Sequence, residues 1–289
     1  MATTHTSIAN LALSHLGQRA LTALETDVTQ EAKMVRKWYN PGGGAPVYTA
    51  LDEILRSHPW NFATKRKRQT IDYNVLSGAS AITSDGTEFA VNATGHGLST
   101  GDRVHIKDVE GADGANGTWY ITKIDNNSFS LDDSQYSSGY VEDTGKWTIC
   151  PQFAYTFQHA PPNDFLRIIS INAEGGQLED DGSDFLFEEG KILCEDETIN
   201  LKYIARITDA TLYPSDFVTA FSYLLASYIA SDTAGMTGQA TQMRQFFENF
   251  VANKVKARDS AEGKGRRITP FEDSQLISAR YGGTFYITP

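Results

Sequence analysis

Phe217-Val218-Thr219-Ala220-Phe221-Ser222-Tyr223-Leu224-Leu225-Ala226-Ser227-Tyr228-Ile229-Ala230 is the stretch on which the fold turns. Phe217, Ala220, Phe221, Leu224, Leu225, Tyr228 and Ile229 recur at three- and four-residue intervals, the period of a helix with a wide apolar face. Thr219, Ser222, Ala226, Ser227 and Ala230 make the other side, and side chains that small let a second helix approach closely. The run is too short to span a bilayer and carries Ser and Thr throughout, so it predicts a core helix and no membrane segment. Met243, Phe246, Phe247, Phe250, Val251 and Val255 form the stripe of a following helix, and the turn at Gly235–Gly238 predicts an antiparallel hairpin.

Upstream, three more helices are predicted. Ile8, Leu11, Ala12, His15 and Leu16 fall on one face, with Gly17 as a stop. A second helix is expected to start near Asp27, spaced from Gln30 as in a capping box, with Val28, Ala32, Val35 and Tyr39 as its stripe. The third carries Val47, Tyr48, Leu51, Ile54 and Leu55 and ends before Pro59. His15 on its apolar stripe is read as a packed residue.

Between these helical ends the texture changes. From about residue 77 to 148 the chain is rich in Gly, Asp, Asn, Ser and Thr, with short alternating runs at Phe89-Ala90-Val91, Arg103-Val104-His105-Ile106, Trp119-Tyr120-Ile121-Thr122 and Ser128-Phe129-Ser130-Leu131. Asp125-Asn126-Asn127 suits a tight hairpin between the last two. Residues 77–149 therefore read as an inserted all-β module. Between Ala81 and Thr148 there are 11 acidic and 4 basic residues, a net charge of −7. Strands are expected again at the alternating Phe153, Tyr155 and Phe157, around Leu166 to Ile171, at Lys191–Cys194 and over Thr198–Ile207. The fold class is α+β: a helical hairpin core, an antiparallel β part and the inserted module.

The 289 residues include 36 acidic and 25 basic ones, a formal net charge of −11. That balance argues against a dedicated duplex binder, which carries a basic footprint. Cys150 and Cys194 lack metal-ligand spacing and are read as reduced, packed thiols, and Met1–His15 lacks the basic head and apolar core of a signal peptide. The six histidines show no zinc spacing, and neither a phosphate loop nor a Gly-x-Ser-x-Gly elbow is present. Glu179-Asp180-Asp181 with Asp184 lacks the ligand spacing of a calcium loop and is read as a solvated acidic loop. No catalytic residue, metal or cofactor is expected. The run Lys65-Arg66-Lys67-Arg68 is read as a solvated strand edge or a partner for acidic neighbours, in preference to a DNA contact.

Five segments in order carry a family resemblance. They are Pro59-Trp60-Asn61-Phe62-Ala63-Thr64-Lys65-Arg66, Pro162-Asn163-Asp164-Phe165-Leu166-Arg167, Gly190-Lys191-Ile192-Leu193, Ile199-Asn200-Leu201-Lys202-Tyr203-Ile204, and Pro214-Ser215-Asp216-Phe217 leading to Leu224-Leu225-Ala226-Ser227. Each is short, and their order is what makes the set specific. Over residues 5–75 and 150–260 the chain resembles the tail tubular protein A family, the head–tail adaptors of short-tailed phages. Residues 77–149 depart from that family's pattern. His96-Gly97-Leu98-Ser99-Thr100-Gly101-Asp102-Arg103-Val104 with Gly117-Thr118-Trp119-Tyr120 resembles a small β-barrel module that recurs in phage tail proteins.

The resemblance implies a structural virion protein of the tail, assembled in the host cytoplasm. It implies a homo-oligomeric ring of twelve copies between portal protein and tail nozzle protein. Genomic DNA would pass through the lumen without sequence-specific binding. The chain is accordingly divided into an adaptor core of 1–76 and 150–262, the insert at 77–149, and an extended C-terminal arm at 263–289, the last read from aromatics in a tail without a clear period. Lys254, Lys256, Arg258, Arg266, Arg267, Phe271, Tyr281, Phe285 and Tyr286 are the candidate partner interface, a run of cations and aromatics suited to docking on an acidic portal surface. The alternatives are a tail-associated cell-wall glycan hydrolase, working through paired carboxylates, and a glycan- or capsid-binding module using Trp119, Tyr120, Tyr136, Tyr140 and Trp147. With 36 acidic residues a chance carboxylate pair is easily found, so the chain is expected not to be an enzyme.

Overall fold

The computed structural model describes residues 3–42, 45–172, 185–233, 235–250, 257 and 259. The chain divides into two compact units, Met1–Ala63 with Ile207–Pro289, and Thr64–Arg206. The class is α+β, as expected.

The first unit is helical: α1 (His5–His15), α2 (Gln30–Trp38), α3 (Thr49–Ser57), α4 (Ser215–Asp232) and α5 (Thr237–Phe250). In α4, 10 of its 18 residues are buried, among them Ser222, Ala226 and Ser227 from the side without large apolar groups. A helix that buries small as well as large side chains is a central one, and α1, α2, α3 and α5 all pack against it. The aromatic contacts say how. Phe217 meets Trp60, Phe62 and Tyr213 at centroid distances of 5.1, 4.8 and 5.0 Å. Phe221 meets Tyr39 edge-on at 5.0 Å, and Tyr228 stacks on Trp38 at 4.6 Å. Tyr223 stacks on His15 at 4.4 Å and faces Phe246 of α5.

Polar ties complete the unit. His15 Nε2 lies 3.0 Å from the Ser222 hydroxyl, which donates to the Thr219 carbonyl; with its hydrogen so used, the hydroxyl accepts from the imidazole. Half-burial holds His15 below its ordinary pKa, which suits that neutral role. Tyr228 donates to Glu53 at 2.5 Å and Arg244 pairs with the same carboxylate, joining α3, α4 and α5. Asp232, unfavourably placed at a helix C-terminus, accepts from Lys37 and from the Trp38 indole. Gly17, with φ +66°, ends α1 where a left-handed residue is needed.

One helix start differs from expectation. The cap of α2 is Thr29, whose hydroxyl accepts from Ala32 N. Asp27 instead accepts from Thr22 N at 2.7 Å, holding the preceding loop, and Val28 is 81% exposed.

The second unit holds three antiparallel sheets. One is β1 (Thr64–Thr70), β13 (Thr198–Ala205) and β10 (Phe165–Ile171), in that order. Another is β11 (Leu186–Glu188), β12 (Lys191–Cys194) and β9 (Phe157–His159). The seven-stranded sheet runs β2 (Asn74–Val75), β8 (Lys146–Cys150), β5 (Arg103–Lys107), β6 (Gly117–Lys123), β7 (Ser128–Leu131), β4 (Phe89–Asn92) and β3 (Ile82–Ser84). All its strands fall within residues 74–150. It curls enough for Phe129 of β7 to meet Trp147 of β8, three strands away, at 5.6 Å. Inside lie Phe89, Val91, Val104, Ile106, Ile121, Phe129, Leu131 and Trp147, a core separate in composition from that of the helices. The β6–β7 hairpin turns at Asp125, whose carboxylate accepts from Asn127 N at 2.6 Å.

The expected strand through Phe153 and Tyr155 is absent: only Phe157–His159 is extended and paired. Ala154 sits at φ +69°, and Arg103 donates to the Pro151 and Tyr155 carbonyls at 3.2 and 2.8 Å, so those groups are taken by a side chain instead of a ladder. Phe153 is 76% exposed. Cys150 and Cys194 are free and buried, and burial pushes the Cys150 thiol up to about 12. No helix among the described residues is long and apolar enough to cross a membrane.

Because Phe217 joins four aromatic neighbours, Phe217→Ala is expected to cost about 3–5 kcal/mol by chemical denaturation. Phe246→Ala, at a side chain 44% exposed, is expected to cost under about 1 kcal/mol. Equal effects would contradict this packing.

Candidate functional site

The candidate surface is built on β1, β13 and β10. Strand β13 buries Ile199, Leu201 and Tyr203 and turns Asn200 and Lys202 the other way, the alternation a sheet with one covered face requires. Register places Arg66 opposite Lys202 and Arg68 opposite Asn200, so both arginines share the open face with them. Ser170 of β10 lies across from Lys202 on the other flank. Arg66, Lys67, Arg68, Ser170, Asn200, Leu201 and Lys202 line a depression of about 340 Å³.

The electrostatics are unusual for an acidic chain. Like charges directly opposite on a sheet are destabilising, and Arg66 faces Lys202. Partial burial and then Arg66 hold the Lys202 ammonium below its ordinary pKa. Among the described residues no carboxylate pairs with Arg66, Lys67, Arg68 or Lys202. Lys65 behaves differently. Its ammonium reaches Asp164 at 2.7 Å, and the same carboxylate accepts from Tyr203 at 3.0 Å. The run 65–68 is thus both things the sequence suggested: an ion-pair partner at Lys65 and an exposed edge beyond it.

No family model and no curated protein matches the chain. Part of it is similar to a solved structure, the phage phi92 endosialidase, over 30% of this chain and 12% of that one, at 19% identity and a TM-score of 0.20. At that score the likeness carries no argument.

The sequence-predicted interface, Lys254, Lys256, Arg258, Arg266, Arg267, Phe271, Tyr281, Phe285 and Tyr286, lies outside the described residues, as do Val251, Val255 and the acidic Glu179, Asp180, Asp181 and Asp184. Of the module's aromatics, Trp147 is core, Trp119 and Tyr140 pack against the core, and Tyr120 and Tyr136 are 49% and 38% exposed. The Tyr120 hydroxyl donates to Gln152 O, and Tyr136 packs edge-on against Phe89. No group of His, Cys, Asp and Glu among the described residues is arranged to hold a metal ion. Sequence reading missed Lys202, which joins the basic strand only through β-pairing across more than a hundred residues. The alternation in Ile199-Asn200-Leu201-Lys202-Tyr203 was its one visible signal.

Burial alone would raise the Asp164 carboxyl, but the hydrogen bonds from Lys65 and Tyr203 outweigh it and hold the pKa below the usual carboxylate range. A depressed folded pKa stabilises above the unfolded value of about 3.9, and that gain is lost as pH falls through the lower folded value. Asp164→Asn is therefore expected to lower the denaturation midpoint at pH 7, with the gap closing below about pH 4. A gap independent of pH would exclude the charged pair as its source.

Proposed function

We propose that this chain is a structural head–tail adaptor subunit of a phage virion. Twelve copies form a ring between portal protein and tail nozzle protein, and genomic DNA passes through the lumen without sequence-specific contacts. The subunit acts through geometry and repeated contacts, with no chemistry of its own.

The observation that carries this reading is where the ordered segments of the resemblance lie. Four of the five, the first, second, fourth and fifth, come from distant parts of the chain and meet in space. Trp60 and Phe62, from the first segment, pack on Phe217, from the last. Lys65 of the first, Asp164 of the second and Tyr203 of the fourth form one ion-pair and hydrogen-bond cluster. The Trp60 indole, 1% exposed, donates to the Ile54 carbonyl at 2.8 Å and so fixes the end of α3. Segments that hold each other in place are what a shared fold preserves, whereas chance similarities have no reason to meet.

An adaptor needs little more than such a scaffold. A head-to-tail interface with a closing rotation gives a ring. Many modest copies of one contact then act together, because the first engagement raises the effective concentration for the rest. A net charge of −11 suits a lumen through which phosphates must slide without being gripped.

The test is genetic and structural. Particles assembled without this chain are expected to be capsids that lack tails and lose their genomes on purification, seen by negative-stain imaging. Tailed, filled particles made without it would overturn the reading. Purified chain is expected to leave host-wall suspensions turbid; clearing that depends on a carboxylate pair would favour the glycan hydrolase instead.

A further inference from the structure

The positive face of the β1–β13–β10 sheet has no task in a scaffold that merely folds. Arg66, Arg68 and Lys202 share that face with no carboxylate paired to them among the described residues, and Arg66 sits squarely across from Lys202. Like charges held opposite one another cost stability, so a ligand that neutralises them recovers that cost.

The same compact unit carries the complement. Two loops of the seven-stranded module, 108–116 and 141–144, are tied together: Val141 N donates to Glu110 O at 3.0 Å, and Glu110 N donates to the Thr144 hydroxyl at 3.1 Å. Gly111 makes the junction possible. It sits at φ +76°, and a Cβ there would collide with the Gly139 carbonyl. Four exposed carboxylates project from these loops, Glu110, Asp113, Glu142 and Asp143, and none is in an ion pair among the described residues. Asp108 beside them is already matched by Lys146 at 2.9 Å.

We propose that the basic sheet face of one copy receives the acidic loop pair of a second copy, as a head-to-tail contact between subunits. The two patches differ, so each copy offers one of each and the contact can propagate, which is the requirement for a ring or filament. The proposal rests on the adaptor reading only for the closure of that contact into a ring. A polynucleotide is the rival occupant. Among the described residues the depression is lined by no aromatic side chain on which a base can stack, whereas an acidic counterpart is present on the protein itself. Opposed patches of this kind govern register and partner choice and weaken with salt.

The test uses the full chain and charge exchange. In sedimentation velocity the parent protein is expected to associate at 50 mM NaCl, with affinity falling at least about tenfold by 500 mM. Arg66→Glu with Lys202→Glu, and separately Glu110→Lys with Glu142→Lys, are each expected to abolish association while leaving the circular dichroism unchanged. Mixing the two variants is expected to restore it, since each then supplies the patch the other needs. Rescue on mixing is a readout that misfolding cannot produce. A parent that stays monomeric at 50 mM NaCl, or variants that associate like the parent, would overturn the proposal, as would failure of mixing to rescue. So would a short DNA duplex retained by the parent and lost with Arg66→Glu and Lys202→Glu while self-association persists. Each leaves the adaptor reading standing, because capsid joining is measured independently of free-protein association.

Discussion

Everything in the helical unit depends on the burial of the middle of α4, from Phe217 to Ala230. Ten of its residues are buried, large ones such as Phe217, Phe221, Leu224 and Leu225 beside small ones such as Ala220, Ala226 and Ala230. Large side chains supply apolar area at roughly 25 cal/mol per Å². Small ones let neighbouring backbones come close enough to exclude water. Four helices from two distant parts of the chain converge on it, so the unit cannot form before its C-terminal half is present. The polar groups on α4 are placed where they cost least: Ser222 answers His15, Ser227 returns its hydroxyl to the Leu224 carbonyl, and Tyr228 reaches Glu53.

That arrangement bears on function because it spends chemistry-capable residues on holding the fold. His15, Glu53, Arg244, Asp164 and Tyr203 are all engaged in joining elements. Both thiols are buried, and the thiol of Cys150 is raised well above neutrality, so neither is poised as a nucleophile. Among the described residues, the charges without an ion-pair partner include those of a positive sheet face and an acidic pair of loops. On the adaptor proposal, those two surfaces are the ones open to neighbours in an assembly.

Much of this was legible in the sequence, for reasons that differ by element. The helical periods of α1, α3, α4 and α5 reflect packing against a core, and the structure places a helix on each. The short apolar runs between turn residues mark strands of the seven-stranded sheet; Arg103–Lys107 alternates in burial, whereas Phe89–Val91 and Ser128–Leu131 are buried throughout. Local rules failed where a side chain did an unexpected job. Asp27 looks like a helix cap but binds the loop before it, and Thr29 takes the role. Phe153 and Tyr155 alternate like a strand, yet Arg103 has claimed the carbonyls that a ladder would need. The candidate surface was half visible: Lys65–Arg68 stands out as a charge run, while Lys202 becomes part of it only through register.

The central claim is that α4 is the element on which the helical unit is organised, and native-state hydrogen exchange reads it directly. The amides of α4 from Ala220 to Ile229 are expected to exchange only by global unfolding, with protection matching the denaturation free energy and exceeding that of α5. Exchange in α4 as fast as in α5, or faster, would contradict the account.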